Sequence, residues 1–256
     1  MGGWLRLAAT SAVMFTAWRW LRNWGSSPAE RWMILPGDEL IRDPADMTTF
    51  AVPIEAPAAD VWPWLIQIGQ DRAGFYSYDI LENLVGLHIH SADEIVAQWQ
   101  TLSVGDGIRL TPPGWMGQQD GVVLPVARLE GPRSLVLREG PPSLPWNAVW
   151  SFHIVPTSTR SCRLISRSRS ERPQVRLRLA GVVMTPLTAA MTRRMLLGVK
   201  ARAERGIRGR AGSMRPRLQH DLASRGFCHP ARPSDWPVGA DRSPGRRATE
   251  RGIQTI

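Results

Sequence analysis

Between residues 104 and 170 the chain settles into five short runs: VGDGIRLT (104–111), GVVLPVARLE (121–130), SLVLRE (134–139), WNAVWSFHIVP (146–156) and SCRLISRSRS (161–170). Each is rich in aliphatic, β-branched or aromatic residues, and Pro-Gly, Gly-Pro and Ser-Thr turns separate them, which is the signature of consecutive strands. Trp150, Phe152 and Ile154 alternate with Ser151, His153 and Val155, and Cys162, Leu164 and Ile165 precede a Ser-Arg alternation. That period predicts an antiparallel meander with one face on a core and the other wet.

The period then changes. Val182 to Ile207 carries Val183, Leu187, Met191, Met195 and Leu196 at helical spacing, followed by Lys200, Arg202 and Arg205 where cations complement a helix C-terminus. A long closing helix is expected. Ahead of the meander, Thr48 to Ile54 reads as a first strand stopped by Glu55-Ala56-Pro57. Asp60 then suits an N-cap or first-turn position, and Val61, Trp64, Leu65 and Ile68 share one helical face. Pro63 fits such a helix only in its first turn. Gly69 and Gly74 bracket a break, after which Phe75 to Leu84 reads as a second helix ended by Gly86.

This order resembles the START-like superfamily, also called SRPBCC, which includes polyketide cyclases/dehydrases and lipid-transport proteins. The residues that carry the likeness are IEAPAADVWPWLIQIGQ (54–70), GFYSYDILENL (74–84), LSVGDGIRL (102–110) and MLLGVKARAER (195–205). The resemblance covers residues 46 to 207 and implies an α+β helix-grip fold. In it a curved antiparallel sheet wraps around a long C-terminal helix, with two short helices after the first strand and an apolar cavity between sheet and helix. Function in that superfamily spans transport, sequestration, sensing and cyclisation, so the likeness does not choose among them.

Residues outside that span differ in kind. Residues 1 to 45 are an apolar segment and an extended linker, and residues 208 to 256 are a tail rich in arginine, glycine and proline, too poor in large aliphatics to offset the entropy of ordering. Of the formal charge of +10, the tail accounts for +6 through ten arginines against four acidic residues, which leaves a domain of ordinary charge. Nearly all the cations are arginine, with Lys200 the single lysine, so the composition does not argue for specific nucleic-acid binding.

In the N-terminal segment the uninterrupted apolar run, Leu7 to Trp18, falls short of the roughly twenty residues a spanning helix needs. Trp4, Trp18, Trp20, Trp24, Arg6 and Arg19 at its ends suit a membrane interface. Membrane contact through residues 4 to 24 and a helix packed on the domain or left unstructured are both open. Two cysteines, Cys162 and Cys228, make no disulfide framework, which favours a reducing, cytoplasmic setting.

A cavity of the expected kind draws on aromatics and methionines of the inner sheet face and closing helix. The residues chosen on that ground are Trp64, Phe75, Tyr76, Tyr78, Trp150, Phe152, Met184, Met191 and Met195. Each also serves as ordinary core. Asp79 and Glu82, three apart, can share a helix face, where paired carboxylates are more often solvated than catalytic. An enzyme reading, as a cyclase, dehydratase or aromatase, would rest on Tyr76, Asp79 or His153. His88 and His90 point the same way in an extended segment but lack a third ligand, and no GxGxxG, Walker or GxSxG motif occurs. No metal or cofactor is expected. Ser91 with Asp93 and Glu94 reads as a helix N-terminus. The favoured function is binding of a small hydrophobic, lipid-like or polyketide-like molecule, with an enzyme and a membrane-attached lipid-binding protein as alternatives.

Overall fold

A computed structural model describes residues 21–139, 147–171 and 186–209. The apolar run Leu7 to Trp18, the start of the expected closing helix with Met184, and nearly all of the arginine-rich tail lie outside the described residues. Six strands form one antiparallel sheet: β1 (Asp46–Ile54), β2 (Gly107–Arg109), β3 (Val123–Glu130), β4 (Ser134–Glu139), β5 (Ala148–Pro156) and β6 (Cys162–Ser170). Their order is β1-β6-β5-β4-β3-β2, so each meander strand pairs with its chain neighbour and β1 closes onto the last. In that junction Phe50 lies opposite Ser166 and Ile54 opposite Cys162.

Between β1 and β2 lie α2 (Ala58–Ile66) and α3 (Asp79–Leu84), and a long helix, α4 (186–209), ends the described chain. The face of α2 read from spacing is buried as expected, with Val61, Trp64, Leu65 and Ile68 all in the core. Asp60 sits in its first turn. Pro63, however, lies in the second turn, because the helix begins at Ala58. Its missing N–H removes one bond from a nine-residue helix.

The second helix is shorter than its sequence suggested. It starts at Asp79, since Tyr76 has a φ of 57°, a left-handed conformation that breaks the helix before it begins. The Tyr76 N–H donates to the Ser91 hydroxyl at 3.0 Å instead of joining a helical ladder. Ser91 therefore tethers a turn, and residues 91–94 form no helix.

The sheet's inner face and α4 make the main core. Phe50, Val52, Leu135, Leu137, Phe152, Ile154 and Leu164 meet Ala189, Met195, Leu196, Val199 and Ala203 of the helix. Gly198 lets α4 press directly on the backbone of Tyr76, where any Cβ would collide with the carbonyl oxygen. Lys200 and Arg202 tie the helix down by donating to the carbonyls of Pro53 at 2.6 Å and Ala92 at 2.8 Å.

The outer face is wet along β3, but over much of β1, β4, β5 and β6 it is covered. Residues 25–45 run across it, starting with α1 (Pro28–Trp32), whose N-terminus is closed by a capping box between Ser27 and Glu30. Leu35 packs with Ala51 and Ile165, and Ile41 with Val136 and Val149, as two small clusters. Ser151, His153 and Arg167, polar members of the alternation, are each no more than 2% exposed. Arg167 donates to Asp38 at 2.6 Å, to the carbonyls of Glu30, Arg31 and Met33, and to the Thr49 hydroxyl. Arg169 reaches the carbonyls of Ile41 and Arg42, and Arg163 forks onto Glu30 through two 2.7 Å bonds.

Candidate ligand-binding site

A cavity of about 600 Å³ lies between the inner sheet face, α3 and its flanking loops, and α4. Pocket volumes of roughly 300–1,000 Å³ suit small-molecule ligands. The sheet contributes Thr48, Phe50, Leu124, Ala148, Trp150, Ser166 and Ser168, and α4 contributes Thr188, Ala189, Met191, Thr192 and Met195. Phe75, Ser77, Glu82, Leu87, Ile89, Leu110, Thr111 and Val122 complete most of the wall, and Arg22 and Asp46, an ion pair, also border it. The Ser-Arg alternation of β6 explains two of these positions. Ser166 and Ser168 take the inner face, while Arg167 and Arg169 take the outer one.

Four of the nine residues selected from sequence line this cavity: Phe75, Trp150, Met191 and Met195. Trp150 is fixed by its indole N–H, which donates to the Ser166 hydroxyl at 3.0 Å, and by Phe152, whose ring centroid is 4.7 Å away. Phe152 itself is fully buried behind it and does not border the cavity. Trp64 and Tyr76 belong to the packing between α2 and the loops, in an edge-to-face pair with centroids 6.1 Å apart. Tyr78 is 41% exposed, with the Arg194 guanidinium over its ring.

The three polar residues put forward for catalysis are all committed elsewhere. The Tyr76 hydroxyl donates to the Trp64 carbonyl at 3.1 Å and accepts from Gln67 at 2.9 Å, and burial raises its pKa above the ordinary tyrosine value. Gln67 is a filled hub: its amide also donates to the Glu94 carbonyl, and its oxygen accepts from the Val96 N–H and Gln100. Asp79 accepts from the backbone N–H of Ser91 at 2.7 Å and from its hydroxyl at 2.6 Å. His153 faces the N-terminal arm on the other side of the sheet, 3.1 Å from the Ser134 hydroxyl through Nδ1. None of the three borders the cavity.

Glu82, which its spacing from Asp79 marked as one of a solvated helix-face pair and which was not among the chosen site residues, is the acidic residue of α3 that borders the cavity. Glu82 is 2% exposed, and neither carboxylate oxygen has a hydrogen-bond partner. Burial, then the nearby Asp79 carboxylate, raise its pKa above the ordinary glutamate value, and the Ser77 hydroxyl opposes this only in part. The Ser77 hydroxyl is itself within 3.3 Å of the Met191 carbonyl. Leu87 and Ile89 were also overlooked, although the alternation that set His88 and His90 on one side implied them. The histidines are exposed, and the aliphatic residues between them turn inward to the cavity.

An antiparallel sheet with its first strand beside its last, packed on one long helix over a cavity, is a helix-grip architecture. No protein-family model matches the sequence, and no curated protein matches it. Solved structures similar to the chain include MLL2253 from Mesorhizobium loti, at 17% identity over 62% of this chain and 98% of that one, with a TM-score of 0.35. Truncated norcoclaurine synthase from Thalictrum flavum is 16% identical over 59% of this chain and 92% of its own, with a TM-score of 0.36. An HSP90 activator from Plasmodium falciparum is 10% identical over 53% and 85%, with a TM-score of 0.31. Likenesses this distant say nothing about activity.

Proposed function

We propose that the chain binds a small hydrophobic molecule in this cavity, for transport, sequestration or sensing. The observation that carries the reading is the cavity itself: about 600 Å³, walled largely by Phe50, Phe75, Leu87, Ile89, Leu124, Trp150, Met191 and Met195. Protein interiors pack like organic crystals and leave few voids larger than a water molecule. An apolar hole of this size forfeits packing that the same residues would otherwise gain, a cost that a bound apolar ligand recovers. Two methionines on α4 add adaptability to the wall, since an unbranched thioether chain can follow ligands of different outline. Catalysis through Tyr76, Asp79 or His153 draws no support from the geometry.

Native mass spectrometry of the full chain, followed by organic extraction, tests the reading. A stoichiometric apolar adduct, carried through purification or acquired from a lipid panel, is expected. A clean apo mass after that challenge contradicts it.

A further inference from the structure

Glu82 is anomalous in its surroundings. Its carboxyl group, in a cavity wall shared with Phe75, Leu87, Ile89, Met191 and Met195, has lost its water, and among the described residues neither oxygen has a partner in hydrogen-bond geometry, the Ser77 hydroxyl favouring the charged form by less than burial and Asp79 oppose it. Leaving such a group unpaired costs far more than a neutral polar atom would. The charge that acts on it most is a like one, Asp79 on the same helix. Asp79 is itself satisfied, with Ser91 on both oxygens, so it neither needs nor supplies a partner for Glu82.

Among the described residues, the cations of the surrounding elements are engaged elsewhere. On α4, Arg194 lies over the Tyr78 ring, and Arg202 pairs with Asp93 at 3.1 Å and covers Tyr76. Arg22 at the cavity wall pairs with Asp46. His88 and His90, from the loop that supplies Leu87 and Ile89, are turned outward and exposed. Two carboxylates and an apolar wall, with no cation paired to the inner one among the described residues, leave a position that a positively charged ligand group would complete.

We propose that the cavity is built for a hydrophobic amine, whose ammonium pairs with the Glu82 carboxylate while its apolar body lies against Trp150, Met191 and Met195. The inference rests on the cavity reading above and adds the ligand's chemical class. An ammonium offers three donors: two match the oxygens of Glu82, and the same wall holds the hydroxyls of Ser77 and Thr192 as further acceptors. Such a pair is favourable in a dry site only when these bonds are made, which gives discrimination against ligands without the charge. Because burial and the Asp79 carboxylate raise the Glu82 pKa, acid protonates it more readily than an ordinary glutamate, so affinity for the amine is expected to fall as the pH is lowered.

The test is calorimetric titration of the full chain with decylamine, decanol and decanoic acid at neutral pH, on the native protein and on Glu82→Gln. Decylamine is expected to bind about tenfold or more tightly than decanol, as a charge-assisted pair allows, with decanoic acid weakest. In Glu82→Gln the preference disappears while decanol binding persists, which also shows that the variant retains its fold. Equal affinity of the native protein for amine and alcohol, or a preference that survives in Glu82→Gln, overturns the amine proposal and leaves the cavity reading standing. Failure of all three to bind overturns both.

Discussion

His153 is a neutral base sealed under the N-terminal arm. Burial first, and then the Arg167 charge, push its pKa down to about 4, with Asp38 opposing in part. The unfolded chain takes up a proton near the ordinary histidine value of 6.5, and the folded chain does so only near 4. The unfolded state thus binds more protons in that window, so stability is full above pH 6.5 and declines as pH falls toward 4. The span of the shift sets the loss at up to about 3 kcal/mol. Denaturant unfolding measured from pH 8 to pH 4 should show this decline, and His153→Gln should flatten it. An unchanged slope in the variant would mean that His153 does not carry the effect.

Glu82 marks the limit of what residue spacing conveys. Asp79 and Glu82 lie three apart whether their helix face is wet or dry, and the spacing predicts only that they are neighbours. What separates them is the left-handed turn at Tyr76 and the hydroxyl of Ser91, which captures one carboxylate and leaves the other inside. A contact from twelve residues away has no periodic signature.

At the scale of elements, the strands were legible because alternation and turn chemistry agree. SLVLRE is β4 from end to end, and the neighbouring runs hold β5 and β6 with only one or two residues trimmed. The docking of the arm was not legible. Its prolines and glycines show an extended segment, but Arg167 and Arg169 hold it mainly through backbone carbonyls, which every sequence offers alike. The Ser-Arg alternation therefore looked like a solvated face when its arginines, Arg167 buried and Arg169 partly buried, are bound to the arm. Truncating Arg167 to alanine leaves Asp38 with Arg169 at 3.3 Å as its remaining cation, beside the Leu35 N–H at 3.0 Å, and unpairs several arm carbonyls. Losing one partner of a buried ion pair typically costs about 3 kcal/mol or more. Hydrogen exchange should show protection lost across residues 26–42 in Arg167→Ala, with the β4–β5 pairing retained. Uniform loss across the sheet would mean that the arm and sheet unfold as one unit.

For the molecule as a whole, the order of elements conveyed the architecture, since a strand, two short helices, a meander and a closing helix can pack their apolar faces in few ways. The existence and extent of the cavity were not conveyed, because volume is what packing leaves over, and no local pattern records it. Phe75, Trp150, Met191 and Met195 border it, while the equally apolar Trp64 and Phe152 fill core. Among the described residues no helix is long and apolar enough to cross a membrane.

The most direct test of the cavity as a binding site is uptake of the uncharged lipophilic fluorophore N-phenyl-1-naphthylamine by the native chain and by two variants that fill the space from opposite walls, Ala189→Phe on α4 and Ser168→Phe on β6. Both positions line the cavity, so each added ring should occupy ligand volume. The account predicts saturable binding to the native chain with about one site, and loss of at least tenfold in affinity in each variant while the melting temperature stays the same or rises. Affinity unchanged in both folded variants would place the fluorophore elsewhere and contradict the assignment.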